Sequence, residues 1–156
     1  MKFAILLVAL LALAGCMDTR TQVNPQGAAM PSMQTLSSTG FGGALNAQRA
    51  ANGRAALNAD SRLAAAAQAH AADMAATGFF SHRGSNGSTM GQRITAQGYG
   101  KCVMAENIAS GQQSEAEVLT TWMNSPGHRA NILDPKMRAY GLGRSGTIWV
   151  LDLGGC

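Results

Sequence analysis

The chain has 156 residues, with 12 Lys or Arg against 8 Asp or Glu and a formal charge of +4. The basic residues are scattered rather than massed in a block, which excludes the charge pattern of a nucleic-acid-binding protein. Charged residues are few and alanines many, as suits an exported protein with alanine-rich helices, and the length allows one domain with one core.

Residues 1–15 read as a leader. Lys2 supplies a positive start, and Phe3 to Leu13 is an unbroken apolar run of 11 residues. That is too short for a membrane span, which needs roughly 20. The run ends in Leu13-Ala14-Gly15-Cys16, which resembles a bacterial lipobox. The resemblance implies a lipoprotein signal peptide over residues 1–15, with Cys16 lipidated as the new N-terminus. The protein would then be exported to the bacterial cell envelope and held on a membrane by its lipid. Without Asp at position 17, the same resemblance favours the outer membrane where the host has one. The other reading is an ordinary secretory signal with an incidental Cys16.

Residues 16–40 read as the lipidated Cys and a flexible tether, polar and small and interrupted by Pro25, Gly27 and Pro31. The domain spans residues 41–156. Ala44 to Asn52 is a short helix ended by Gly53. Asp60 or Ser61 caps a longer helix through Thr77, with Leu63, Ala67, His70, Ala71 and Met74 on one face and Gly78 as its stop. Residues 79–88 are a glycine- and serine-rich loop, and Thr89 to Gln97 a third helix closed by Gly98. Residues 102–110 read as a strand. Ser114-Glu-Ala-Glu117 is a capping box opening a helix through Met123. Ser125 and Pro126 then cap and start a short helix carrying His128 in its first turn. Two strands, about 139–144 and 147–153, turn through Ser145-Gly146. Helices come first and a small sheet follows with helices interleaved, an α+β domain.

If Cys16 carries lipid, Cys102 and Cys156 remain. A pair in an oxidising compartment is most simply one disulfide. Two free thiols, or a metal-ligand role for Cys102, are the alternatives.

Four residues stand out for chemistry. His82 sits in the 79–88 loop, where a polar side chain can be aimed into a cleft. Glu106 is a lone acid in an apolar strand. Strand alternation puts it on one face with Met104 and Ile108, so it calls for a partner rather than simple exposure. His128 lies at a helix start, which favours a neutral imidazole able to bind a metal or accept a proton. Ser125 adjoins it. Two histidines and a carboxylate are a metal set or a proton-transfer set. By spacing alone the favoured reading is surface or capping histidines and a helix-docking glutamate. His70, on an apolar helix face, reads as a packed core histidine, and Asn107 as a residue that fixes loops. Arg129 reads as a helix-surface pair, and Trp122 and Trp149 as core or cleft wall. There is no Gly-x-Ser-x-Gly elbow to suggest a serine hydrolase.

One ordered series of motifs runs through the domain: Ala67-Gln-Ala-His-Ala-Ala-Asp-Met74, Phe80-Ser-His82, Arg93-Ile94 with Gly98-Tyr99, Glu106-Asn-Ile-Ala-Ser-Gly111, Trp122 to Leu133, and Gly141-Leu-Gly143 with Trp149. Over residues 41 to about 153 it resembles the CAP superfamily (SCP-like; cysteine-rich secretory protein, antigen 5, pathogenesis-related 1 domains), in its bacterial, spore-coat-assembly-like branch. The resemblance implies an α-β-α sandwich with a small central antiparallel sheet and a large cleft. In eukaryotic relatives that cleft carries two histidines and two glutamates able to hold a divalent cation such as zinc. His82, Glu106 and His128 match three of the four and are the implied metal ligands. Ser125 stands where the second glutamate would be, and Glu115 and Glu117 precede Trp122 and do not replace it. The implied function is a binding module for a lipid or other envelope-derived ligand, with or without a metal. The alternatives are a metal-dependent hydrolase or peptidase of the envelope, and a purely structural envelope protein.

Overall fold

The structure, a computed structural model, describes residues 33–100 and 102–156. The leader, Cys16 and most of the tether lie outside the described residues.

Helix α1 (Met33–Ala51) begins well before the predicted Ala44 start, inside the stretch read as tether, and is interrupted at Gly40 (φ 65, ψ −179). A glycine is required there because the left-handed region strains any residue with a Cβ. Beyond the break, Phe41, Ala44, Leu45, Gln48 and Arg49 are buried at helical spacing. Arg49 donates from Nε to the Ala55 carbonyl (2.7 Å) and from Nη1 to the carbonyls of Ile132 and Asp134. It thereby binds α1 to the C-terminal end of α5 (Pro126–Leu133), where helix carbonyls lack partners.

Helix α2 (Ser61–Thr77) follows the sequence closely. Asp60 accepts from the Arg62 N–H at its start, and Gly78 (φ 67) returns its N–H to Met74 at its end. It lies on strands β3 (Ala139–Ser145) and β4 (Ile148–Gly154). A Cβ at Gly141 would collide with the backbone of Leu63 and Ala64, and one at Gly143 with Ala67 and Gln68. Glycines in the strand and alanines in the helix together let two backbones approach this closely.

Helix α3 (Met90–Ala96) has a reciprocal capping box between Thr89 and Gln92. Strand β2 (Met104–Ser110) starts two residues later than predicted. Helix α4 (Glu115–Asn124) is capped by Ser114, but only half of the expected box forms, because Glu117 accepts from the Gln113 N–H instead of the Ser114 N–H. β3 and β4 pair through Ser145 and Ile148, and Gly146 (φ 60) takes the first place of the two-residue turn.

The sheet order is β1-β3-β4-β2, with β1 (Asn58–Ala59) an element the sequence did not suggest. β2 and β3 flank β4 antiparallel, whereas β1 joins β3 in parallel. The sheet is therefore mixed, correcting the expectation of an antiparallel one. A parallel neighbour is possible because α2 lies between β1 and the rest of the sheet in the chain. One sheet face packs on α2 and α3 through Ile108, Val150 and Ala139. The other packs on α1, α4 and α5 through Ala109, Trp149, Leu151 and Leu153. This is the α-β-α sandwich. Cys102 and Cys156 form a disulfide, Cα atoms 5.2 Å apart, that ties the last residue to the approach to β2.

Candidate functional site

The site forms at edge strand β2. Glu106 points to the α2–α3 side of the sheet with its side chain only 2% exposed. Both carboxylate oxygens are engaged: Oε1 accepts from His82 Nδ1 at 2.8 Å, and Oε2 from Arg93 Nη2 at 2.6 Å. The partner that burial demanded is thus a guanidinium as well as an imidazole. An ionised carboxylate only accepts, so His82 donates to it from Nδ1, and in the neutral ring Nε2 is then the acceptor. The His82 side chain is 59% exposed, so that acceptor is available to a ligand.

The 79–88 loop holds His82 by its backbone as well as its ring. Arg93, in α3, donates from both terminal nitrogens to the His82 carbonyl (3.2 Å each) and from Nη1 to that of Ser88 (3.1 Å). His70, buried in α2, donates from Nε2 to the Ser81 carbonyl at 2.9 Å. It is a core histidine, as its helix face indicated. Its pKa is lowered by burial above all.

His128 sits in the first turn of α5 with its Nδ1 buried and unpartnered. Its pKa is lowered, first by burial and then by the nearby His82, so the neutral form expected from the helix start has burial as its main cause. Asn107, on the sheet face opposite Glu106, docks this helix on β2. It donates to the His128 carbonyl (3.1 Å) and accepts from Asn131 Nδ2 (2.8 Å). Ser125 occupies the N-cap position of α5, but its side chain makes no capping hydrogen bond, a correction to its reading as a cap. Arg129 pairs with Asn52 (2.9 Å), and Trp122 and Trp149 are core.

Two functional residues were missed. Arg93 entered the sequence reading only as part of a motif, although a buried acid in an apolar strand implies a cation somewhere. Asp152 is directly opposite Glu106 in the β2–β4 register and fully buried. Burial above all, and then the Glu106 charge, pushes its pKa up to about 8. As a carboxylate it would have no partner, since its neighbour Glu106 only accepts. With its proton it can donate to Glu106. The signal that singled out Glu106, a lone acid in an apolar strand, is equally present in Val150-Leu-Asp-Leu153.

A cleft of about 340 Å³ lies over this cluster, lined by His82, Arg83, Thr89, Met90 and Glu106. Phe79 and Phe80, just before His82, are 45% and 49% exposed. The expected metal set of His82, Glu106 and His128 does not fit a divalent cation as arranged. Each Glu106 oxygen already carries a hydrogen bond from His82 or Arg93, and among the described residues no three His, Cys, Asp or Glu side chains are grouped to hold a metal.

Residues 43–147 match the CAP, cysteine-rich secretory protein, family. The protein YkwD of Bacillus subtilis (strain 168) is 37% identical over 106 residues, 67% of this chain and 41% of YkwD. An extracellular protein containing a SCP domain from Bacillus anthracis superposes with a TM-score of 0.72 at 27% identity, over 74% of this chain and 39% of that one. An outer surface protein from Borrelia burgdorferi gives 0.63 at 25%, over 70% and 85%. A cysteine-rich secretory protein from Staphylococcus aureus gives 0.65 at 18%, over 81% and 40%, a likeness of fold alone. The chain spans about two fifths of YkwD and of the Bacillus anthracis and Staphylococcus aureus structures.

Proposed function

The chain belongs to the CAP, cysteine-rich secretory protein, family, and from that premise we propose that it is an exported binding module whose cleft over His82 takes a lipid or other envelope-derived ligand. One observation carries this reading: both oxygens of Glu106 are spent on His82 and Arg93. Glu106 is thereby committed to its two partners rather than left as a general base or an open metal position of a hydrolase. What remains exposed in the cleft is the His82 ring, with Met90 in the same lining, and Phe79 and Phe80 are exposed just before His82 in the chain. Such a wall suits a molecule with a hydroxyl or amine at one end and apolar surface at the other.

Export is supported by the leader and by similarity to proteins described as extracellular, outer-surface or secretory. Anchoring through a lipidated Cys16 belongs to the same proposal. It keeps the domain near a membrane, where an envelope ligand is abundant.

Native mass spectrometry of the full-length protein, extracted from its host envelope in mild detergent, tests the reading. A discrete adduct is expected, and it should be lost when Phe79 and Phe80 are both replaced by Ser, changes at exposed positions that leave the core intact. Protein that carries no adduct, or an adduct indifferent to those changes, would overturn it.

A further inference from the structure

The ring of contacts around Glu106 is closed. Arg93 Nη2 holds Oε2 (2.6 Å), His82 Nδ1 holds Oε1 (2.8 Å), and the His82 carbonyl returns to Arg93 through Nη1 and Nη2 (3.2 Å each). His82 is thus gripped at both its ring and its backbone by the two members of one ion pair. The Arg93 side chain is only 11% exposed, and it rises from α3 just beyond the Thr89–Gln92 capping box. Guanidinium is well suited to this duty because it stays protonated at any ordinary pH and presents several donors in one plane.

We propose that the guanidinium of Arg93 is the built-in cation of this site, and that His82 and Glu106 take up a divalent metal only when Arg93 is removed. Two features lead there. A metal bound to Glu106 would need a carboxylate oxygen that already carries a charge-assisted hydrogen bond, and it would sit against a fixed positive charge in a poorly screened setting. The geometry that would orient a metal-binding histidine is present in altered form, since the carboxylate grips Nδ1 of His82 directly and the arginine takes up the remaining oxygen. Arg93 is therefore the residue that determines the specificity of the cleft. It neutralises Glu106 from within the protein, and it leaves His82 Nε2 for an uncharged hydrogen-bond donor rather than for an ion.

The test is titration of the untagged full-length protein with Zn²⁺ by calorimetry and with Co²⁺ by visible absorption. The comparison uses wild type, His82→Ala, Arg93→Met, Arg93→Lys and the double variant Arg93→Met/His82→Ala. Wild type and His82→Ala are expected to bind Zn²⁺ within twofold of each other. Arg93→Met is expected to bind at least tenfold more tightly than wild type, with a Co²⁺ ligand-field band that wild type lacks. The gain should disappear in the double variant and be absent in Arg93→Lys, which keeps the charge. Wild-type binding of one Zn²⁺ at least tenfold tighter than His82→Ala would overturn the proposal, as would a folded Arg93→Met no tighter than wild type. Should Arg93→Met not fold, the wild-type comparison with His82→Ala decides alone, because His82 is largely exposed and its truncation leaves the core intact.

Discussion

Glu106 and Asp152 face each other across neighbouring antiparallel strands, both buried and both on the α2 side of the sheet, so that two carboxyl groups share one dry pocket. Arg93 supplies one positive charge to the pair and cannot neutralise two negative ones. The outcome is a division of roles in which Glu106 takes the guanidinium and Asp152 keeps its proton. The fully buried Asp152 has its pKa pushed up to about 8 by burial and by its neighbour.

This makes stability fall as pH rises. The native chain holds the Asp152 proton that the unfolded chain releases near about pH 4. The contribution is therefore fully present below about pH 4, shrinks through the interval up to about pH 8, and is constant above it. The slope attributable to this group is about 1.4 kcal/mol per pH unit. Asp152→Asn abolishes that slope, so its stability relative to wild type should rise between about pH 5 and pH 8 and then level off. Urea unfolding of both proteins at pH 5, 6.5 and 8 measures it, and curves that stay parallel would refute the assignment. His70 and His128, both lowered by burial, add an opposite trend in both proteins: stability lost as pH falls below about 6.5.

Removing Arg93 should cost far more than removing a surface charge. Arg93→Met leaves Glu106 buried with a reduced set of partners and is expected to lower stability by about 3–5 kcal/mol. Adding Glu106→Gln should restore part of that loss, a coupling that a double-mutant cycle reads directly. Additive losses would mean that the pair is not energetically linked.

Asn107 ties α5 to β2 through one donor and one acceptor bond. Asn107→Ala strands the Asn131 amide and the His128 carbonyl and should cost about 1–3 kcal/mol. The His128 ring should shift with its helix, so its NMR signals in Asn107→Ala should move while those of His70 stay in place. Unmoved His128 signals would show that α5 keeps its place without Asn107.

Reduction of the Cys102–Cys156 disulfide frees a chain closure of 54 residues in sequence separation. The chain-entropy relation puts the loss at about 4 kcal/mol. Cys156→Ser should unfold at a correspondingly lower urea concentration. The intact mass of the nonreduced protein should be about two hydrogens below the reduced form, and equal masses would exclude the bond.

Gly141→Ala tests how closely α2 lies on β3. The added methyl meets the backbone of Leu63 and Ala64 rather than a side chain that could swing away, so a loss of about 1–3 kcal/mol or more is expected. A wild-type thermal midpoint would contradict that contact.

Much of this molecule was legible in the chain because its signals are local. Asp60 and Gly78 bracket α2, Gly146 turns the last hairpin, and the pairing of Cys102 with Cys156 was the simplest reading of the cysteines. Alternation placed Glu106 on a face where it needed a partner, and the motif series pointed to the fold and to His82, Glu106 and His128 together. The sequence by itself thus determined most of the elements, since capping, turn chemistry and side-chain period depend on neighbours a few positions apart, and the layers followed from the family resemblance. Tertiary structure alone decided that Arg93 is the partner of Glu106, that Asp152 keeps its proton, that β1 joins the sheet in parallel, and that the Ser125 side chain makes no capping hydrogen bond. Each of these depends on which groups from distant segments share a dry space, and there the balance between burying a charge and pairing it is set by geometry that no local pattern encodes.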